Sequence, residues 1–143
     1  MGIISKVKVS ERLSEVEYPE IPGFFVTLRY LDREKLTKIR NACIVRKRNR
    51  STRQFDEEID NDKFTELYAE AAIKGWRGLK FKHLKHFMPV DISNENPEQE
   101  IKYSEEDALY LLQNSTTFDQ FLTDCMGDIS TFEEEKEEEE VKN

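Results

Sequence analysis

Phe118, Phe121, Leu122, Cys125, Met126 and Ile129 stand at i, i+3, i+4, i+7, i+8 and i+11. That spacing gathers them on one face of an α-helix and on no face of a strand. A helix with one apolar face must bury it against another element. The chain is therefore expected to build a core, with Thr116 or Thr117 capping this helix. A shorter helix is expected just before it in "YSEEDALYLLQNS". There Ser104 is the N-cap, Asp107 stands where a capping box has its acid, and Ala108, Leu111 and Leu112 face inward.

Two more helices are expected upstream. In "LDREKLTKIRNACIVRKR" Asp32 can cap, and Leu31 and Leu36 form a hydrophobic staple. Leu36, Ile39 and Cys43 line one face. Arg46, Lys47 and Arg48 are expected in the last turn, where cations meet the negative end of the helix dipole. In the next helix Asp60 or Asn61 caps, and Phe64, Leu67, Tyr68, Ala71, Ala72 and Trp76 follow at helical spacing. Before both, "FFVTLRYL" alternates with period two and reads as a strand.

The second helix runs into Gly75-Trp76-Arg77-Gly78-Leu79. One reading is a helix ending on a packing anchor, with Gly75 permitting close approach and Gly78 in the left-handed region. The other is a phosphate loop. That fails, because GxGxxG and GxxxxGK[ST] spacings are absent and the glycines follow a helix. Further on, "PVDI" and "EIKY" suggest two short strands across a polar turn.

The expected fold class is α+β and mainly helical: a short N-terminal β element and about four helices around one core. The divisions expected are a weakly ordered segment over 1–22, with an edge strand near Ile4, Val7 and Val9, a single domain over 23–132, and a disordered acidic tail over 133–143. The chain of 143 residues is 37% hydrophobic and 36% charged, with net charge −8. The tail "EEEKEEEEVKN" carries seven Glu and two Lys, so most of the excess lies there. One basic cluster opposes it: Arg46, Lys47, Arg48, Arg50 and Arg53. Its first aromatic neighbour in sequence is Phe55, which does not favour a nucleic-acid contact. No apolar run nears the roughly 18 residues of a membrane span, and the N-terminus has no signal-peptide core. A soluble protein made in a cytoplasm is expected.

Little points to chemistry. His83 and His86 could begin a metal site, but no third ligand is evident and Lys82 and Lys85 would repel a cation. Cys43 and Cys125 lie on apolar helical positions and read as buried thiols. No nucleophile motif is present. The expectation is a binding protein with no catalytic, metal or cofactor residues, and with partner-binding residues unassigned.

The order of motifs resembles the tail assembly chaperones of long-tailed bacteriophages over roughly residues 23–132. The matching pieces are Gly75, Trp76, Gly78 and Leu79, then Tyr103, Ser104, Asp107, Ala108 and Leu112, then Asp128 and Phe132. Segment 87–103 departs from the pattern in lacking a glycine turn. The resemblance implies binding to the tape-measure protein, recruitment of tail-tube subunits, self-association, and a place in the host cytoplasm but not in the finished particle. It implies architectural roles for the matched residues, with Trp76 an anchor and Ser104 a cap. It also implies a second, frameshifted length, with which codons for Val141-Lys142-Asn143 are compatible. The alternatives are an acidic inhibitor mimicking nucleic acid, a structural tail or baseplate subunit, and RNA binding through residues 46–53.

Overall fold

The alternating "FFVTLRYL" forms a strand as expected. The computed structural model, which describes residues 2–9 and 12–132, places β1 at Leu13–Glu17 and β2 at Phe25–Arg29. They pair antiparallel from Leu13 opposite Arg29 to Glu17 opposite Phe25. β1 lies later than the alternation at Ile4, Val7 and Val9, which is exposed and contains a 3-10 turn at Ile4–Lys6. Tyr18 and Ile21, between β1 and β2, are buried.

α1 (Arg33–Ala42) starts at Asp32, whose carboxylate accepts from the Lys35 N–H at 2.8 Å. It ends earlier than its sequence suggests, and two exposed strands follow: β3 (Ile44–Arg48) and β4 (Phe55–Ile59). They form a separate two-stranded sheet. Asp60 then caps α2 (Asn61–Ala72), accepting from the Lys63 N–H at 3.1 Å.

The chain next enters β5 (Ile73–Arg77), which pairs antiparallel with β2 and completes the order β1-β2-β5. A 3-10 turn (Phe81–His83), α3 (Leu84–Phe87) and a long irregular segment lead to α4 (Glu105–Asn114). Ser104 caps α4 as expected, accepting from the Asp107 N–H at 3.1 Å. α5 (Thr116–Gly127) follows after one residue. Ser115 N–H donates to the Leu111 carbonyl at 2.9 Å and closes α4, while its hydroxyl accepts from the Phe118 N–H at 3.0 Å and opens α5. The cap is therefore Ser115, one position before the expected threonines. A 3-10 turn (Ile129–Phe132) ends the described chain, and the acidic tail over 133–143 lies outside the described residues.

The three-stranded sheet has one dry face and one wet face, the usual arrangement for an antiparallel sheet with helices on one side. Val26, Leu28, Ile73 and Trp76 point into the core with Ala69, Ala72, Leu111, Leu112, Phe118 and Leu122. Phe25, Glu15 and Arg77 share the other face. There the Arg77 guanidinium lies 4.0 Å from the Phe25 ring centroid and donates twice to Glu15, at 3.0 and 2.7 Å.

This architecture corrects the expected fold class. The protein is α+β but not mainly helical, because strands fill two places expected to be helix. Arg46, Lys47 and Arg48 are on β3 and not in a helical last turn. The apolar row from Ala72 to Trp76 does not continue α2. Thr27 pairs with Gly75 but Leu28 with Ile73, so Lys74 is an extra residue, a bulge. The bulge puts two inward residues, Ile73 and Trp76, three positions apart, which imitates the helical period. "PVDI" and "EIKY" form no strands; Glu100 makes a single bridge to Lys80.

Candidate interaction surface

Trp76 is the anchor its position suggested, but at the end of a strand. It is 9% exposed, and its indole N–H donates to the Ile101 carbonyl at 2.9 Å. Its ring stands edge-on to Tyr103, with centroids 5.2 Å apart, and the Tyr103 hydroxyl donates to the Ile73 carbonyl at 3.1 Å. Ile101 N–H donates to the Leu79 carbonyl at 2.6 Å. These bonds fasten the irregular segment before α4 to the end of β5. Gly75 is not the point of close approach, since a Cβ there would meet Thr27 at 3.8 Å, an ordinary contact. Gly78 is that point. It has φ +82°, and a Cβ would fall 1.9 Å from the Gly23 carbonyl oxygen.

Beside this junction lies a cleft of about 260 Å³. Trp76, Leu79 and Leu111 form its floor, and Phe81, Leu84, Met88, Val90 and Ile101 its half-buried walls. Tyr110, 56% exposed, and Asp107 stand at the rim. Its lining is apolar apart from Asp107 and the Tyr110 hydroxyl, and it has the width of a few aliphatic side chains. Two other clefts are lined more evenly by polar and apolar groups. One of about 520 Å³ includes Leu36, Arg40, Asp62, Tyr68 and Asp119; one of about 420 Å³ includes Tyr18, Glu20, Gln120 and Asp124.

The histidines are tied into the fold. His83 Nδ1 accepts from the Lys80 N–H at 3.0 Å. Burial, helped by Lys82 and Lys80, lowers its pKa. His86 Nε2 is 3.1 Å from the Tyr18 hydroxyl and 2.8 Å from Glu20. Among the described residues no group of three His, Cys, Asp or Glu is placed to hold a metal ion. Cys43 and Cys125 are both buried and free, as expected. Burial, with Asp124 and Asp128 nearby, pushes the Cys125 thiol up to about 11, so it stays protonated at neutral pH.

The basic cluster gains a different setting. β3 and β4 pair from Ile44 opposite Ile59 to Arg48 opposite Phe55, and all ten residues are exposed. Arg46 pairs with Glu57 at 3.7 Å and Lys47 with Glu58 at 3.1 Å. Asn49 shapes the turn, its side-chain oxygen accepting from the Ser51 N–H at 2.9 Å, and Arg53 closes it at φ +59°. Phe55, seven positions beyond Arg48 in sequence, sits directly across from it and is 66% exposed. Sequence reasoning placed the cluster and Phe55 apart; only the strand pairing joins them.

The fold is thus that of a two-layer α+β protein with a charged hairpin projecting between α1 and α2. The chain matches the YdaY prophage protein family over residues 33–143 and belongs to it. It is therefore a phage-derived protein. The match takes in the hairpin, the Trp76 junction and both C-terminal helices. No curated protein and no solved structure is significantly similar to it.

Proposed function

We propose that this prophage protein is a tail assembly chaperone, which binds the tape-measure protein, keeps it soluble and recruits tail-tube subunits around it. Three things support the reading: membership of a prophage family, the order of motifs from Gly75 to Phe132, and the surface chemistry. The observation that carries it is the apolar cleft beside Trp76. Its floor is rigid, because Trp76 and Leu79 are core residues, and its walls are half-exposed side chains of α3 and the segment after it. A long helical client presents apolar side chains at i, i+3 and i+4. A cleft of this size takes two or three of them in a helix-in-groove contact. Exposed charge elsewhere keeps the complex soluble. In this reading the motif residues keep an architectural role: they shape the cleft from below, and Tyr110 and Met88 meet the client.

Co-expression with a tape-measure protein from the same prophage tests the reading. The expected result is a higher soluble yield of that protein, reduced by Tyr110→Glu in a chain that still folds. An unchanged yield with both proteins present and folded overturns it. Abundant recovery of the chain in purified particles would instead favour a structural tail subunit.

A further inference from the structure

The two strands of the hairpin carry opposite charge. β3 holds Arg46, Lys47 and Arg48 with no acid; β4 holds Asp56, Glu57 and Glu58 with no base. They form a sheet of their own, so no further strand among the described residues covers either outer edge. Backbone bonds at both ends decide which groups face outward. Asp60 N–H donates to the Cys43 carbonyl and Asn49 N–H to the Gln54 carbonyl, each at 2.8 Å. In an antiparallel ladder directly bonded pairs alternate. They therefore fall at Cys43/Asp60, Val45/Glu58, Lys47/Asp56 and Asn49/Gln54. The N–H and C=O groups of Ile44, Arg46 and Arg48 on β3, and of Phe55, Glu57 and Ile59 on β4, point away from the hairpin.

We infer that the outer edge of β3 binds the outer edge of β4 in a second copy of this chain, so that copies join head to tail into one continuous antiparallel sheet. The outward groups allow the register of the hairpin itself to repeat between copies. Ile44 then faces the second copy's Ile59, Arg46 its Glu57 and Arg48 its Phe55. Charge selects this pairing over the two-fold ones. β3 on β3 sets Arg46 against Arg46; β4 on β4 sets Glu57 against Glu57 and Asp56 against Glu58. Like charges directly opposite are destabilising. Edge charges of one sign ordinarily keep a sheet from pairing with its own copy. Here the two edges differ in sign, so the head-to-tail contact is the one left attractive.

Such a contact is heterologous and extends into a ring or an open chain. It also covers Ile44, Phe55 and Ile59, which the hairpin alone leaves exposed, and a lone two-stranded hairpin is marginal in water. The inference concerns the isolated chain and stands apart from the tape-measure reading: no client is needed to observe it.

Sedimentation velocity on the full chain over a range of concentrations tests it. Wild type is expected to form species above monomer that grow with concentration and shrink with salt. Arg46→Pro and Glu57→Pro each remove one central outward N–H that the hairpin does not use. Each variant alone is expected to stay monomeric, and an equimolar mixture to stop at a dimer. A monomeric wild type, association by either variant alone, or a mixture without dimer overturns the inference. Proline can unravel a hairpin, so amide exchange on wild type gives a variant-free reading. The outward amides of Ile44, Arg46, Arg48, Phe55, Glu57 and Ile59 are expected to slow as concentration rises. Slowing on neither strand, or on β3 alone as a fold-back of the 133–143 tail would produce, overturns it.

Discussion

The chain builds two antiparallel sheets from strands of equal length, and they have opposite fates. In β1-β2-β5, alternate residues enter a core with five helices nearby, and Val26, Leu28 and Ile73 are fully buried, as is Phe24 just before β2. In β3–β4 no residue is buried at all. The difference lies in what each strand offers a neighbour. β2 alternates apolar and polar side chains, so one face can be dried. β3 and β4 put charge on both faces and apolar residues only at their ends. The first sheet is fixed by the hydrophobic effect. The second is held by cross-strand charge and its own ladder, and no further strand among the described residues covers its outer edges.

Substitutions in the core around the first sheet and in the hairpin therefore differ sharply. Phe24→Ala, at the centre of the buried cluster with Trp76 and Phe87, is expected to cost about 3–5 kcal/mol in denaturant unfolding. Gly78→Ala combines a left-handed backbone with a backbone collision. It is expected to cost about 3 kcal/mol, and a loss under 1 kcal/mol would remove Gly78 from its place as the close contact. Ser115→Ala deletes a buried cap between α4 and α5 and should cost about 1–2 kcal/mol.

Phe55→Ala marks the other side of the comparison. It is expected to change stability by less than about 0.5 kcal/mol, while weakening self-association in sedimentation. A large stability loss there would join the hairpin to the core. The smallest effect belongs to Glu15. The bond from Arg77 holds its pKa below the ordinary 4.5, so its contribution is present above that value and is lost as pH falls. Glu15→Gln should lower neutral stability only slightly, leave stability in strong acid unchanged, and so flatten the fall between the two in a stability–pH curve.

Where each stretch carried one period and one cap, the fold was legible in the residues. Asp32, Asp60 and Ser104 cap as their positions suggest, and Phe118, Phe121, Leu122 and Cys125 are buried on one face of α5. The sequence misled where a local rule had two solutions. Cations after an apolar row suit a helix end, yet they equally suit a strand facing acids, and the acids lie across a turn. A bulge at Lys74 gave a strand the spacing of a helix. In "NSTT" all four residues are of types that can cap, and the one used is set by the closing bond of α4. Of the candidate surface, Trp76 was legible as an anchor. The cleft walls were not, because they come from α3 and from a segment whose path is set by bonds to β5. Phe55 was missed as a neighbour of the basic cluster because the pairing that joins them is non-local.

Native-state hydrogen exchange on dilute protein, followed residue by residue through low denaturant, tests the separation of scaffold and arm most directly. The amides of β2, the central strand between β1 and β5, should open only with the whole molecule. The bonded amides of Val45, Lys47, Asp56 and Glu58 should open at a far smaller free energy that varies little with denaturant. Equal opening free energies and equal denaturant slopes in the two sheets would contradict it, making the hairpin part of the core.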